Sequence, residues 1–211
     1  MITTRFRIAL LCAATLALHG CGTGRIPLPI PSPDTYPDNA YYRYLEAQEL
    51  SRSGEPERAE ASLRAAIEMD PESSYLKREL ALLYAQQEKH DQALELLSEV
   101  IASDPDDIEA LLLAGRIYQS QERLEDAKAA YREAVEKGGP EENVYLILGN
   151  LYFQDGEYDD AEAVFSLLVE RMPDSYAGYF FLGKVYLEQE NEAAAETAFE
   201  KALGLEPELE S

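Results

Sequence analysis

Alanine recurs at Ala59, Ala93, Ala127, Ala161 and Ala195, each 34 residues after the last. The same step links Leu50, Tyr84, Tyr118, Tyr152 and Tyr186. It also links the bulky residues Leu63, Leu97, Tyr131, Phe165 and Phe199, and the small residues Ala47, Ala81, Gly115, Gly149 and Gly183. Independent columns sharing one register require a single structural unit repeated along the chain, because a period of this length is too short for a domain. Five units follow one another without insertion or deletion: 40–73, 74–107, 108–141, 142–175 and 176–209. Pro71, Pro105, Pro173 and Pro207 close four of them; the third has Gly139-Pro140 instead.

Within a unit the apolar spacing is helical. In the fourth, Tyr145, Leu148, Leu151 and Tyr152 form one stripe and Ala161, Val164, Phe165 and Leu168 a second. Gln154-Asp155-Gly156-Glu157 lies between them and predicts a turn. Each unit is therefore predicted to be an antiparallel helical hairpin, in which the small residues let two backbones approach and the bulky ones fill the space beside them. Asp-Pro pairs such as Asp70-Pro71 and Asp104-Pro105 stop the second helix, since proline disfavours helical geometry at the residue before it. One hairpin leaves an apolar face uncovered, so the units must stack.

These columns resemble the tetratricopeptide repeat (TPR) family over about 170 of the 211 residues. The resemblance implies an all-α, right-handed superhelical solenoid of five TPR hairpins whose first helices line a concave groove. The first unit departs most, with Arg43 and Glu46 where the family prefers an aromatic and a leucine. Carried over by repeat position, the groove residues are Tyr41, Tyr44 and Gln48 in the first unit, then Tyr75, Arg78 and Leu82 in the second. The third contributes Leu112, Arg116 and Gln119, the fourth Leu146, Asn150 and Phe153, and the fifth Phe180, Phe181, Lys184 and Leu187. Such a surface suits an extended peptide or an amphipathic helix held by a few anchored side chains. Arg78, Arg116 and Lys184 are either ligand-binding cations or partners of Glu79, Glu109 or Glu188. Asn150 matches one element of the family's carboxylate clamp, but Leu146 stands where a lysine is needed.

Ahead of the repeats, Arg5 and Arg7 precede an apolar run from Ile8 to Leu18, the layout of a secretion signal too short for a comfortable membrane span. Leu18-His19-Gly20-Cys21 resembles the bacterial lipobox, although His19 is unusual at its position. The resemblance implies cleavage after residue 20 and lipidation of Cys21. Two or three acyl chains anchor durably where one does not. Gly22 follows the cysteine instead of the Asp that marks inner-membrane retention, so an outer-membrane lipoprotein facing the periplasm is expected. After cleavage Cys21 would be the sole cysteine, which excludes a disulfide framework. Prolines 27, 29, 31, 33 and 37 make residues 21–39 a stiff, non-helical spacer, or one in which Ile26, Leu28 and Ile30 dock on a partner or on the array.

No catalytic, metal or cofactor constellation is present, and the covalent lipid on Cys21 is the only added group expected. His90 reads as solvated turn surface. The carboxylate runs Asp104/Asp106/Asp107 and Asp155/Glu157/Asp159/Asp160 fall at turns and helix starts, where acids favour the helix dipole; weak calcium binding there is the alternative reading. A net charge of -23 repels nucleic acid, which leaves protein or peptide segments as partners and the membrane reached through the lipid. The layout resembles TPR lipoproteins of type IV pilus secretin assembly, barrel insertion or polysaccharide export, with the pilus and pilotin-type class favoured. A structural role is the rival expectation. Only Glu208-Leu209-Glu210-Ser211 follow Pro207, so Val185, Ala194, Ala198, Phe199, Ala202 and Leu205 should be partly uncovered and invite a homo-oligomer, a partner or further repeats.

Overall fold

The computed structural model describes residues 38–138 and 141–205. The signal segment, Cys21, the proline-rich spacer and the residues from Glu206 onward lie outside the described residues. Ten helices follow one another within them: α1 (Ala40–Arg52), α2 (Pro56–Met69), α3 (Ser74–Gln86), α4 (His90–Ser103), α5 (Ile108–Ser120), α6 (Leu124–Glu136), α7 (Glu142–Gln154), α8 (Tyr158–Arg171), α9 (Tyr176–Glu188) and α10 (Glu192–Leu205). Both the first and the second helices of successive hairpins start 34 residues apart. None of these helices is long and apolar enough to cross a membrane.

Local chemistry sets these boundaries. Four first helices start at side-chain caps: Asn39, Ser73, Asp107 and Ser175 accept from the backbone N–H of Tyr42, Leu76, Ala110 and Gly178. The chain turns into the second helix through a left-handed residue at the same place in every hairpin. Gly54 and Gly156 supply it at φ 76°, and Glu88, Glu122 and Glu190 at φ 59°, a conformation glycine adopts at no steric cost and glutamate does not. Three of the second helices end at a non-helical residue, Asp70, Asp104 or Met172, directly before proline. The third hairpin differs, with α6 ending at Glu136 and Gly138 left-handed at φ 85°.

Each hairpin packs internally, and each second helix then packs on the next first helix. The small and bulky columns meet inside the hairpin. An added Cβ at Gly115 would lie 2.7 Å from Tyr131, one at Gly149 2.5 Å from Phe165, and one at Gly183 2.6 Å from Phe199. The first two hairpins pair alanine with leucine instead, and Ala47, Ala81, Leu63 and Leu97 are all buried. Two apolar clusters result, one from Ala47 to Ile117 and one from Leu111 to Ala198, and Ile101 and Tyr118 touch both.

Polar joints reinforce the stacking, and they differ along the array. At the first, Glu60 accepts from Lys89 Nζ at 2.8 Å and from the Tyr84 hydroxyl at 3.0 Å. Burial alone would raise the Glu60 pKa; hydrogen bonds from Lys89, Tyr84 and Arg64 outweigh it and hold the carboxyl below its usual range. At the third joint, Lys128 is only 1% exposed, and its ammonium reaches Glu125, Asp155 and Glu157 at 2.7, 2.8 and 3.1 Å. Here too burial opposes the charge, and the three carboxylates overcome it and raise the lysine pKa. The fourth joint uses neutral donors, with Gln189 Nε2 donating to Asp159 at 3.1 Å and Glu162 at 3.0 Å. Among the described residues, no ion pair involves α8, α9 or α10.

Candidate protein-binding groove

Large apolar side chains left exposed concentrate on first helices. Tyr41, Leu45, Tyr75, Leu82, Phe180 and Leu187 come from α1, α3 and α9, against Met69, Leu124 and Leu203 from second helices. A stacked array buries apolar residues wherever a neighbour covers them, so this bias marks the face that no neighbour covers. Five of the six are residues the repeat positions assign to the groove.

At the first end, the Tyr44 and Tyr75 rings meet edge to face at 5.3 Å with their hydroxyls hydrogen-bonded, and Gln48 donates to the Tyr44 hydroxyl. Burial pushes the Tyr44 phenol well above its usual range. At the other end, Phe180 stacks on Tyr176 at 5.9 Å and meets Phe181 at 5.7 Å, while Phe181 stacks on Phe165 at 5.3 Å. Between the fourth and fifth hairpins, Lys184 Nζ lies 4.9 Å from the Phe153 ring centre and 5.2 Å from that of Phe181. Leu146 and Asn150 are half-buried on α7, short of this aromatic end.

Several expectations change. Leu112 is 6% exposed and belongs to the core, where it joins the apolar cluster built largely from the fourth hairpin. Arg78 takes the intramolecular role, lying 2.6 Å from Glu109 as the pairing alternative expects and bonding also to Asp107, which that alternative does not name. Lys184 sits on aromatic faces instead of pairing with Glu188. Arg116 is exposed, has no ion pair among the described residues, and partly offsets the rise that burial imposes on the Tyr131 phenol. His90 opens α4 half-buried, and its Nδ1 is buried with no hydrogen-bond partner among the described residues, so it is not plain solvated surface. Val185, Ala198 and Ala202 are buried, while Ala194, Phe199 and Leu205 are half-buried. The residue left open on α10 is Leu203, at 64% exposure.

The acidic clusters are largely used by the chain itself. Asp107 caps α5 and binds Arg78, Asp106 lies 2.8 Å from Lys137 Nζ, and Asp155 and Glu157 hold Lys128. Glu125, Asp155 and Glu157 form the one trio among the described residues with metal-ligand spacing, and the Lys128 ammonium contacts all three. The residues missed by the repeat positions are Leu45 and Glu79, which stand in the same 34-residue column as Phe181, and that column is the signal that points to them.

Fold and surface together define a helical-repeat scaffold that presents side chains to other proteins. The Tetratricopeptide repeat profile matches residues 44–108, 112–176 and 148–209, and the chain belongs to that family. No curated protein sequence matches it. Among solved structures it is similar to MamA (20% identity, TM-score 0.66, 80% of this chain and 92% of that one). A second similar structure is MamA from residue 41 to its end from Desulfovibrio magneticus RS-1 (18%, 0.63, 83% and 99%). A third is YrrB, described as a TPR protein with an unusual peptide-binding site (21%, 0.61, 81% and 88%). At these identities the likeness concerns the fold.

Proposed function

We propose that the protein is an adaptor, anchored by lipid on Cys21 to the outer membrane and facing the periplasm, whose groove holds protein segments during envelope assembly, with pilus or secretion machinery favoured. The observation that carries the binding reading is the bias of exposed aromatic and aliphatic side chains to first helices, from Tyr41 and Tyr75 to Phe180 and Leu187. YrrB, a protein of this fold with a peptide-binding site, supports it. The anchor rests on Gly20-Cys21 and the segment before it.

In-cell crosslinking through positions 116 and 180 should capture a discrete protein, and Phe180→Ala or Leu146→Ala should abolish the capture. Capture unchanged in both variants removes the groove. For the pathway, deletion of the gene should deplete secretin multimers or pili; normal multimers reject that version. A Cys21→Ala variant should leave the membrane fraction.

A second reading, a structural component meeting a neighbour through the fifth hairpin, has Leu203 in its favour. The equivalent residues Ile67, Ile101, Val135 and Val169 are all more covered. Sedimentation over a range of concentrations decides it, and a strict monomer counts against it.

A further inference from the structure

We propose that the hollow between the first two hairpins is a specificity subsite that receives one lysine or arginine side chain of a bound peptide. It rests on the groove reading above and gives the chemistry this end of the groove selects.

The hollow encloses about 190 Å³, and its walls include Tyr44, Gln48, Ser51, Glu79, Leu82 and Gln86. Sites for whole small molecules are larger, on the order of 300 Å³ and above. A volume this small suits a single long side chain. Ala47, Ala59, Leu63 and Leu83 form an apolar floor against which a run of methylenes can lie.

Glu79 supplies the charge. Its carboxylate makes no ion pair among the described residues, because the adjacent Arg78 is taken by Asp107 and Glu109. Burial raises its pKa, the Arg78 charge works the other way, Glu109 adds to the rise and the Tyr44 hydroxyl opposes it. The carboxylate is therefore half-buried with only the nearby Arg78 charge, shared with Asp107 and Glu109, to offset it, and an arriving ammonium or guanidinium would supply a direct ion pair. Arg52, at the wall, has a side chain 73% exposed and leans toward Glu49 at 3.8 Å. The Gln48, Ser51 and Gln86 side chains offer further oxygen acceptors for the remaining N–H groups. An acidic side chain would meet Glu79 and the field of a chain with net charge -23, which draws cations toward it. An uncharged aliphatic chain would fill the floor and leave the carboxylate uncompensated.

The test uses the full chain and three blocked tripeptides, Ala-Arg-Ala, Ala-Lys-Ala and Ala-norleucine-Ala, titrated by NMR with the side chains of Gln48, Glu79 and Leu82 as reporters. The arginine and lysine peptides should move these signals and compete with each other. The norleucine peptide should bind about tenfold or more weakly, the scale of one lost charge-assisted hydrogen bond. Glu79→Gln should remove that preference while keeping the helical circular dichroism of the parent, and Leu82→Ser should weaken all three peptides together. Equal binding of the norleucine peptide, an unchanged preference in Glu79→Gln, or signal changes confined to other hairpins overturns the proposal. Failure here is separable from failure of the groove. Capture through position 180 with no basic preference at Glu79 removes this subsite alone, whereas basic binding with no capture removes the aromatic end.

Discussion

The first two hairpins and the last two solve the same packing problem with different materials. In the first two, alanine faces leucine inside the hairpin, and the joint between them is tied by Glu60, Lys89, Arg64 and Tyr84. In the last two, glycine faces phenylalanine, and the joint carries stacked rings and amide hydrogen bonds without an ion pair among the described residues. Summed volume across the hairpin is roughly conserved, so the backbones stay in register and both halves bury an apolar core, while the polar ties at the joints change from ion pairs to amide hydrogen bonds. A repeat therefore fixes the sum of two facing side chains more tightly than either one.

The largest effect should come from the aromatic half. Phe165→Ala is expected to cost about 3–5 kcal/mol, the range for emptying a large buried site, and urea unfolding with hydrogen exchange in α7 and α8 would measure it. Next, Gly149→Ala alone should cost about 1–3 kcal/mol, since its new methyl lands on the Phe165 ring. Combined with Phe165→Leu, which recreates the pairing of the second hairpin, the total should fall below the sum of the two single changes. Additive costs would break the comparison.

Lys128→Met tests the charged joints. It should cost about 1–2 kcal/mol, less than a fully buried pair because the three carboxylates are exposed enough to regain water. Salt should weaken the parent's third joint and leave the fourth untouched, which amide exchange resolves joint by joint.

Two glutamates should respond to pH with opposite sign. The folded pKa of Glu60 is lowered, so its stabilisation is present above the usual glutamate value and is lost as pH falls through the folded one. The folded pKa of Glu79 is raised, so its contribution is present below the usual value and is lost as pH rises through the folded one. Glu60→Gln should therefore lower the urea midpoint at neutral pH, and Glu79→Gln should raise it, with both differences fading in acid. The smallest effect is expected from Arg58→Ala, which breaks an exposed pair with Glu55 and should change stability by about 0.5 kcal/mol or less.

Much of the fold is written in the sequence because helix boundaries depend on neighbours a few residues away. The Asp-Pro stops, the small and bulky columns and the turn after each first helix all act within a unit, and every hairpin starts where the period predicts. The partners of charged groups are less legible because they lie about one repeat away. Lys128 reaches Asp155 and Glu157 only once stacking fixes the offset between hairpins, and Arg78 chooses Asp107 over the adjacent Glu79 for the same reason. Leu112 and Leu146 share a repeat position yet differ in exposure, because position in the repeat does not report which neighbouring side chains close over a residue. Glu79 stands out only when the hollow beside it is seen.

The uneven joints carry a mechanical consequence. A load applied along the array would be shared by five similar hairpins, but their couplings differ in chemistry. Ionic clasps such as Lys128 with its carboxylates are screened by mobile ions, whereas stacked rings and amide hydrogen bonds are not. The force that parts the third and fourth hairpins would then fall as salt is added, and the force that parts the fourth and fifth would not.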